Sequence, residues 1–312
     1  MIFSAILNQM AFLFILIIVG YVLAKLKLVP DNTESVLSKL ENYIFIPALV
    51  MGTFVQHFTL EKLSTAKDIL LTSLIIELIV IPLSMLCVRF CAKDKYIQNI
   101  YLYGLCFSNF GFMGNAIVSS LFPEIFLEYL LFTLVLWIVI YIWGVPVLLT
   151  NDQSKTRSVK QTLKAFVNPM FISMIIGIII GLTNIQVPSF VDNLLSSLGS
   201  CMSPVAMLLT GMTVARSKLL NLLKQKSIYI VSILRLLVYP LLFIVMSILI
   251  PINHTLFMCA LCSLAMPLGL NTIVIPKAYG KDTTIASGMA LVSHLLSCVT
   301  IPLIFYLVSI LK

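Results

Sequence analysis

Residues 104–118 read GLCFSNFGFMGNAIV, and residues 260–274 read ALCSLAMPLGLNTIV. Laid over one another without a gap, Leu, Cys, Asn, Ile and Val recur in place. Both stretches lie inside long apolar runs, and both are poor helix formers. The first packs Ser108, Asn109, Gly111, Gly114 and Asn115 into a few residues, and the second carries Pro267, Gly269, Asn271 and Thr272, then Pro276. Glycine lowers helix propensity, and proline removes a donor and clashes with the preceding turn. In a bilayer such backbone is tolerated only where it is buried in protein or lines a wet cavity.

The correspondence extends outward from these stretches. IIELIVIPL at 75–83 matches ILRLLVYPL at 233–241, which pairs Glu77 with Arg235 and Pro82 with Pro240. Pro47 pairs with Pro204, and Pro146 with Pro302. The run NQMAFLFILIIVGYVLAKLKLVP from Asn8 matches NPMFISMIIGIIIGLTNIQVP from Asn168. The chain is written twice. Residues 1–150 form one repeat and 165–312 the other, with a polar segment, 151–164, between them.

Composition says where the repeats reside. Of 312 residues, 60% are hydrophobic and 10% charged, against about 25% charged in a soluble domain. Mean hydropathy is +1.09. These values exclude an ordinary soluble enzyme, a disordered chain and a nucleic-acid binder. A crossing helix needs about 20 apolar residues. Ten such stretches are readable: 3–24, 35–56, 68–90, 97–120, 126–149, 165–184, 189–214, 227–250, 254–276 and 284–310. Five spans per repeat make the second half enter from the opposite side, so the repeats are inverted, a hallmark of many secondary transporters. The expected fold is therefore all-α and polytopic, with ten transmembrane helices in two inverted five-helix repeats, the fourth and ninth broken and crossed. With both termini outside, sixteen of the 20 Lys and Arg residues fall on the inner side, three fall on the outer side and Arg235 lies within a span. The positive-inside rule then places the 151–164 loop in the cytoplasm, in a cell membrane.

Paired broken helices point to a site at the midplane. Amides freed at half-helix N-termini favour an anion, a carboxylate in particular, and asparagine adds donors and acceptors without a buried charge. The candidate substrate-binding residues are Asn109, Gly111, Gly114, Asn115, Pro267, Gly269, Asn271 and Thr272. The competing reading is close helix packing at the glycines with asparagines stapling neighbours. Glu77 and Arg235 lie deep in the bilayer, where ionisable residues are expensive and usually functional. They read either as a structural ion pair or as a coupling carboxylate and an anion-attracting arginine. His294 is a lone histidine of the last span, and packing with one hydrogen bond is its reading. Cys259-x-x-Cys262 lies on an apolar helix and reads as packing. No cofactor, metal site or Walker A loop is expected, so no ATP.

These residues resemble the auxin efflux carrier family, which includes the plant PIN-FORMED carriers and bacterial permeases for malate and related acids. The resemblance covers essentially the whole chain. It rests on SNFGFMGNAIV at 108–118, NPMFISMIIGIIIGL at 168–182, SPVAMLLTGMTVA at 203–215, LRLLVYPLL at 234–242 and AMPLGLNTIVIPKAYG at 265–280. The resemblance implies a scaffold of spans one, two, six and seven, often dimeric, and a transport bundle of the other six that slides like an elevator. It also places Asn109 and Asn271 near the crossing, with Pro267 and Gly269 shaping its loop. The chain departs from the family at Ala116 and Thr272, where proline is common, and at Asn115, where a hydrophobic residue is usual. Its central loop is short. These departures fit a bacterial, malate-permease-type member better than a plant carrier.

The expected function is a secondary carrier for a small organic anion such as malate or another carboxylate, with lipid and substrate as partners and no enzymatic activity. The alternative, a cation–proton antiporter of related fold, would want an acid at the crossing, and none lies in 109–118 or 266–276.

Overall fold

The computed structural model describes residues 2–149, 169–183, 185–216, 225–250, 252–278 and 281–311. The expected cytoplasmic loop, 151–164, lies outside the described residues, as does the start of the sixth stretch. Among the described residues the chain is helical, and its single β-bridge joins Ser108 to Leu268.

In the first half, α1 (Ile2–Lys25) is followed by α2 (Thr33–Leu40), α3 (Ile46–His57), α4 (Leu60–Cys91), α5 (Lys95–Cys106), α6 (Asn115–Leu121), α7 (Phe126–Val139) and α8 (Val145–Leu149). In the second half come α9 (Pro169–Thr183), α10 (Ser189–Arg216), α11 (Lys226–Ile233), α12 (Tyr239–Leu249), α13 (His254–Ala265), α14 (Asn271–Ala278) and α15 (Thr284–Leu311). Five helical runs are long and apolar enough to cross a membrane: Leu60–Cys91, Pro123–Leu149, Ser189–Arg216, Lys226–Leu249 and Thr284–Leu311. Shorter apolar helices cover Ala11–Lys25, Phe110–Leu121, Pro169–Thr183 and His254–Ala265. The chain is thus a multi-pass membrane protein. Starts carry local signals: the side chains of Asp94 and Asn253 cap α5 and α13 by accepting from Ile97 N and Thr255 N.

Proline shapes the long helices in two ways. Wide π-turns at Glu41–Phe45, Ile140–Gly144 and Leu234–Val238 precede Pro47, Pro146 and Pro240. A wider turn moves aside the carbonyl that the ring would strike. Their repeat mates Pro204, Pro302 and Pro82 sit inside helices that are α throughout. Each proline pair therefore has one widened member and one unwidened one.

Helices pack in two groups. In one, α1 runs along α10, and α3 packs against α9 and α10. In the other, α4 packs on α5 and α7, α13 on α7 and α12, and α11 on α15. Within the second group the stretches Asn99–Cys106 of α5 and Phe257–Ala265 of α13 are buried on all sides. Such helices belong inside the protein. By contrast α4 exposes Ile75, Leu78, Leu86 and Phe90, an apolar face suited to lipid.

Lipid is as apolar as leucine, so helix association here relies on close packing. A Cβ on Gly211 would overlap the carbonyl oxygen of Ile17, and one on Gly20 that of Leu208. Helices α1 and α10 therefore touch backbone to backbone. Gly211→Val should destabilise the protein by about 1–3 kcal/mol, the usual cost of overpacking, read as a lower melting temperature in detergent. Gly52→Ala is the control, because its Cβ meets only Leu195 Cβ at 3.6 Å. Equal melting of the two variants would refute the close approach.

Candidate functional site: the crossing of two broken helices

The fourth and ninth apolar stretches are interrupted. Helix α5 ends at Cys106, and helical winding resumes in the π-turn Phe110–Gly114 that leads into α6. Helix α13 ends at Ala265, and α14 starts at Asn271. The extended pieces meet antiparallel, with Asn109 N donating to Pro267 O at 2.7 Å and Gly269 N to Phe107 O at 3.3 Å. A Cβ on Gly269 would stand 3.0 Å from both Phe107 O and Ser108 O, so this approach favours glycine.

Two half-helix C-termini and two N-termini converge here. The last carbonyls of a helix have no intrahelical donor, and its end carries partial negative charge. Arg235 meets both C-terminal ends. The side chain is 1% exposed. It donates from Nη1 to Leu105 O at 2.8 Å, from Nη2 to Ser263 O at 2.8 Å and from Nε to Met266 O at 3.4 Å. Leu105 lies in the last turn of α5, Ser263 in the last turn of α13, and Met266 just beyond it. Ser108 Oγ adds a bond to Ser263 O at 2.8 Å.

Glu77, on α4, is 4% exposed, and its Oε2 has no hydrogen-bond partner. It lies within electrostatic reach of Arg235, but among the described residues the two form no salt bridge, and the guanidinium is committed to backbone carbonyls instead.

The asparagines differ in their commitments. Asn109 is buried, and its Nδ2 lies 3.0 Å from His294 Nε2. His294 Nδ1 lies 2.7 Å from Ala290 O, so the histidine has two partners and ties α15 to the crossing. Asn115 is buried with its Oδ1 unpartnered. It lines a small, partly open space of about 20 Å³ with Val50, Thr133, Trp137 and Met174 among its neighbours, room for about one water. Asn271 opens α14, is half-buried, and neighbours the buried Tyr103 hydroxyl. Thr272 turns inward, its hydroxyl bonded to Gly269 O at 2.7 Å.

The glycines make room for aromatic groups. A Cβ on Gly111 would come 3.0 Å from Trp137 Cζ2, and one on Gly114 would overlap the Tyr129 hydroxyl. Phe110 and Trp137 pack edge to face at 5.1 Å. The structure thus joins Asn109, Pro267 and Gly269 at the crossing, with Gly114 beside Met266, Thr272 bonded to Gly269 and Asn271 opening α14, whereas Gly111 faces Trp137 and Asn115 lines the separate space beside Val50 and Met174. It adds His294, and Ser293, whose hydroxyl accepts from Leu268 N at 3.3 Å. The only signal for these two was a polar cluster, SHLLS, inside an apolar last span.

A family model described as "membrane transport protein" matches residues 5–305. A search of curated proteins found no match.

Proposed function

The chain belongs to the membrane transport protein family, whose members resemble the auxin efflux carriers, and we propose that within it the protein is a secondary carrier for a small organic anion, such as malate or another carboxylate. One observation carries the reading. Two interrupted helices cross backbone to backbone inside a membrane protein, and two half-helix N-termini begin beside that crossing, with Asn109 in it and Asn271 opening α14, without an acidic side chain in 109–118 or 266–276. Half-helix N-termini and neutral amides suit a carboxylate. An antiporter of cations would want a carboxylate of its own at this place.

The motion follows from the same reading. Ten spans form two inverted repeats of five, with the first, second, sixth and seventh as scaffold and the other six as a bundle. The grouping of α1, α3, α9 and α10 apart from α4, α5, α7 and α13 supports that division. The bundle slides against the scaffold like an elevator and presents the crossing to each side in turn. Both termini face outward from the plasma membrane, and the scaffold helices provide the surface for a homodimer.

Purified protein in proteoliposomes tests the reading, with labelled malate, malonate, lactate, succinate and indole-3-acetate offered under an imposed pH gradient or membrane potential. Saturable uptake of at least one acid is expected, and Asn271→Ala should reduce it at least about tenfold, the equivalent of one lost hydrogen bond to a charged group, while leaving insertion intact. Unchanged uptake in Asn271→Ala would remove that residue from the site. Silence for every acid, with sodium or proton flux instead, would overturn the anion reading.

A further inference from the structure

Among the described residues three glutamates are buried: Glu41, Glu77 and Glu128. Glu128 pairs with Lys62, and Glu77 lies within reach of the Arg235 charge. Among the described residues Glu41 has no such counter-charge. Its side chain is 0% exposed, and neither carboxylate oxygen has a hydrogen-bond partner.

The elements packed on its turn are α2, α3, α9 and α10. Their charged and titratable groups are paired with one another or exposed. On α10, Arg216 bonds Asp31 and the α2 residue Glu34 at 3.2 and 2.7 Å, Asp192 accepts from Gln56 at 2.8 Å, and Cys201 is exposed. Lys39 of α2 is exposed, as is His57 at the far end of α3. Helix α9 carries no ionisable side chain.

A lone carboxylate buried without compensation is among the costliest groups a fold can hold. In a membrane protein such a residue is a functional candidate by default. Its setting adds a second feature. Glu41 opens the π-turn Glu41–Phe45, and Pro47 supplies no N–H to the carbonyls of that turn. A carboxylate oxygen is the hard donor that protons and small hard cations take.

We propose that Glu41 is the binding site of one small monovalent cation, a proton or a sodium ion, and that occupancy of this site, on the helix group apart from the crossing, regulates the carrier. The substrate site and the cation site then lie on different helix groups. Arg235 compensates Glu77 from within the protein, whereas Glu41 receives its positive charge from outside.

The test needs no transported substrate, so its failure and that of the anion reading are separable. The melting temperature of the purified protein is measured in sodium chloride against choline chloride at equal ionic strength, and along a pH series. A cation bound only by the folded chain raises stability, as sodium is added or as pH falls. The wild type should show a rise of at least about 2 °C in one of the two series. Glu41→Gln should fold and lose that rise. A sodium response identifies the ion as sodium, and a response to pH alone identifies it as a proton. In proteoliposomes the same variant should transport at a rate that no longer depends on that ion. An identical response in wild type and Glu41→Gln, or no response in the wild type, overturns the proposal. Glu41→Met is the second variant, and loss of folded protein in both would instead make the carboxylate a structural partner, which also overturns it.

Discussion

Arg235→Met is expected to abolish uptake and to lower stability by about 3–5 kcal/mol, the range for removing one partner of a buried charged network. Three carbonyls, Leu105 O, Ser263 O and Met266 O, lose the guanidinium together, while Ser263 O keeps its bond from Ser108 Oγ. Two helix C-termini that converge on one another lose the cation between them, and the partial negative charges of those ends then face each other. Arg235→Lys separates charge from geometry. Lysine keeps the charge as a single point on a flexible stem, whereas the guanidinium fork spans both helix ends at once. Lysine should therefore hold one helix end and leave the other, with partial melting loss and transport well below wild type. Wild-type transport and melting in Arg235→Lys would show that charge alone suffices and would sink the bridging role. Removing Arg235 also strips Glu77 of the nearby positive charge. Glu77→Gln added to Arg235→Met should recover part of the lost stability, a coupling that a double-mutant cycle measures.

Arg235 also marks where sequence reading stopped. The internal repeat relates Glu77 to Arg235, and relatedness by repeat suggested a pair. A repeat places residues at equivalent positions, and equivalent positions need not touch. The partners of the guanidinium are backbone carbonyls, which carry no residue identity and so leave no trace in a sequence. The broken stretches themselves were legible, because glycine, proline and asparagine act on backbone locally, and the interruptions at Phe107–Asn109 and Met266–Leu270 fall where those residues cluster. The π-turns were not legible, since three prolines have one and their three repeat mates do not. Neighbouring helices decide that choice. Glu41 is not legible as a buried acid, because Lys39 and Asn42 flank it and give the segment the composition of a solvated helix start. His294 was read with one hydrogen bond, and the second comes from Asn109, 185 residues away in the chain.

That second bond carries the other large expected effect. A backbone carbonyl only accepts, so the 2.7 Å contact with Ala290 O places the proton on His294 Nδ1. In the neutral ring Nε2 is then an acceptor, and Asn109 must present its amide N–H to it. Asn109 also donates its backbone N–H to Pro267 O and accepts from Met113 N and Gly114 N at 3.0 and 2.9 Å, so one residue joins the crossing, the π-turn and α15. Asn109→Asp keeps the size and these backbone bonds but offers only acceptors to an acceptor. The ring must either draw a second proton or leave two facing lone pairs buried, and an unsatisfied buried group costs about 1–3 kcal/mol. An anionic carboxylate would also repel an anionic substrate at this position. Uptake should fall by about ten- to a hundredfold, with a modest drop in melting temperature. His294→Gln supplies an acceptor oxygen for the Asn109 N–H and should retain more activity than His294→Phe, which supplies none. Equal uptake in His294→Gln and His294→Phe would show that the ring fills space there and that the Asn109 contact does not orient the crossing.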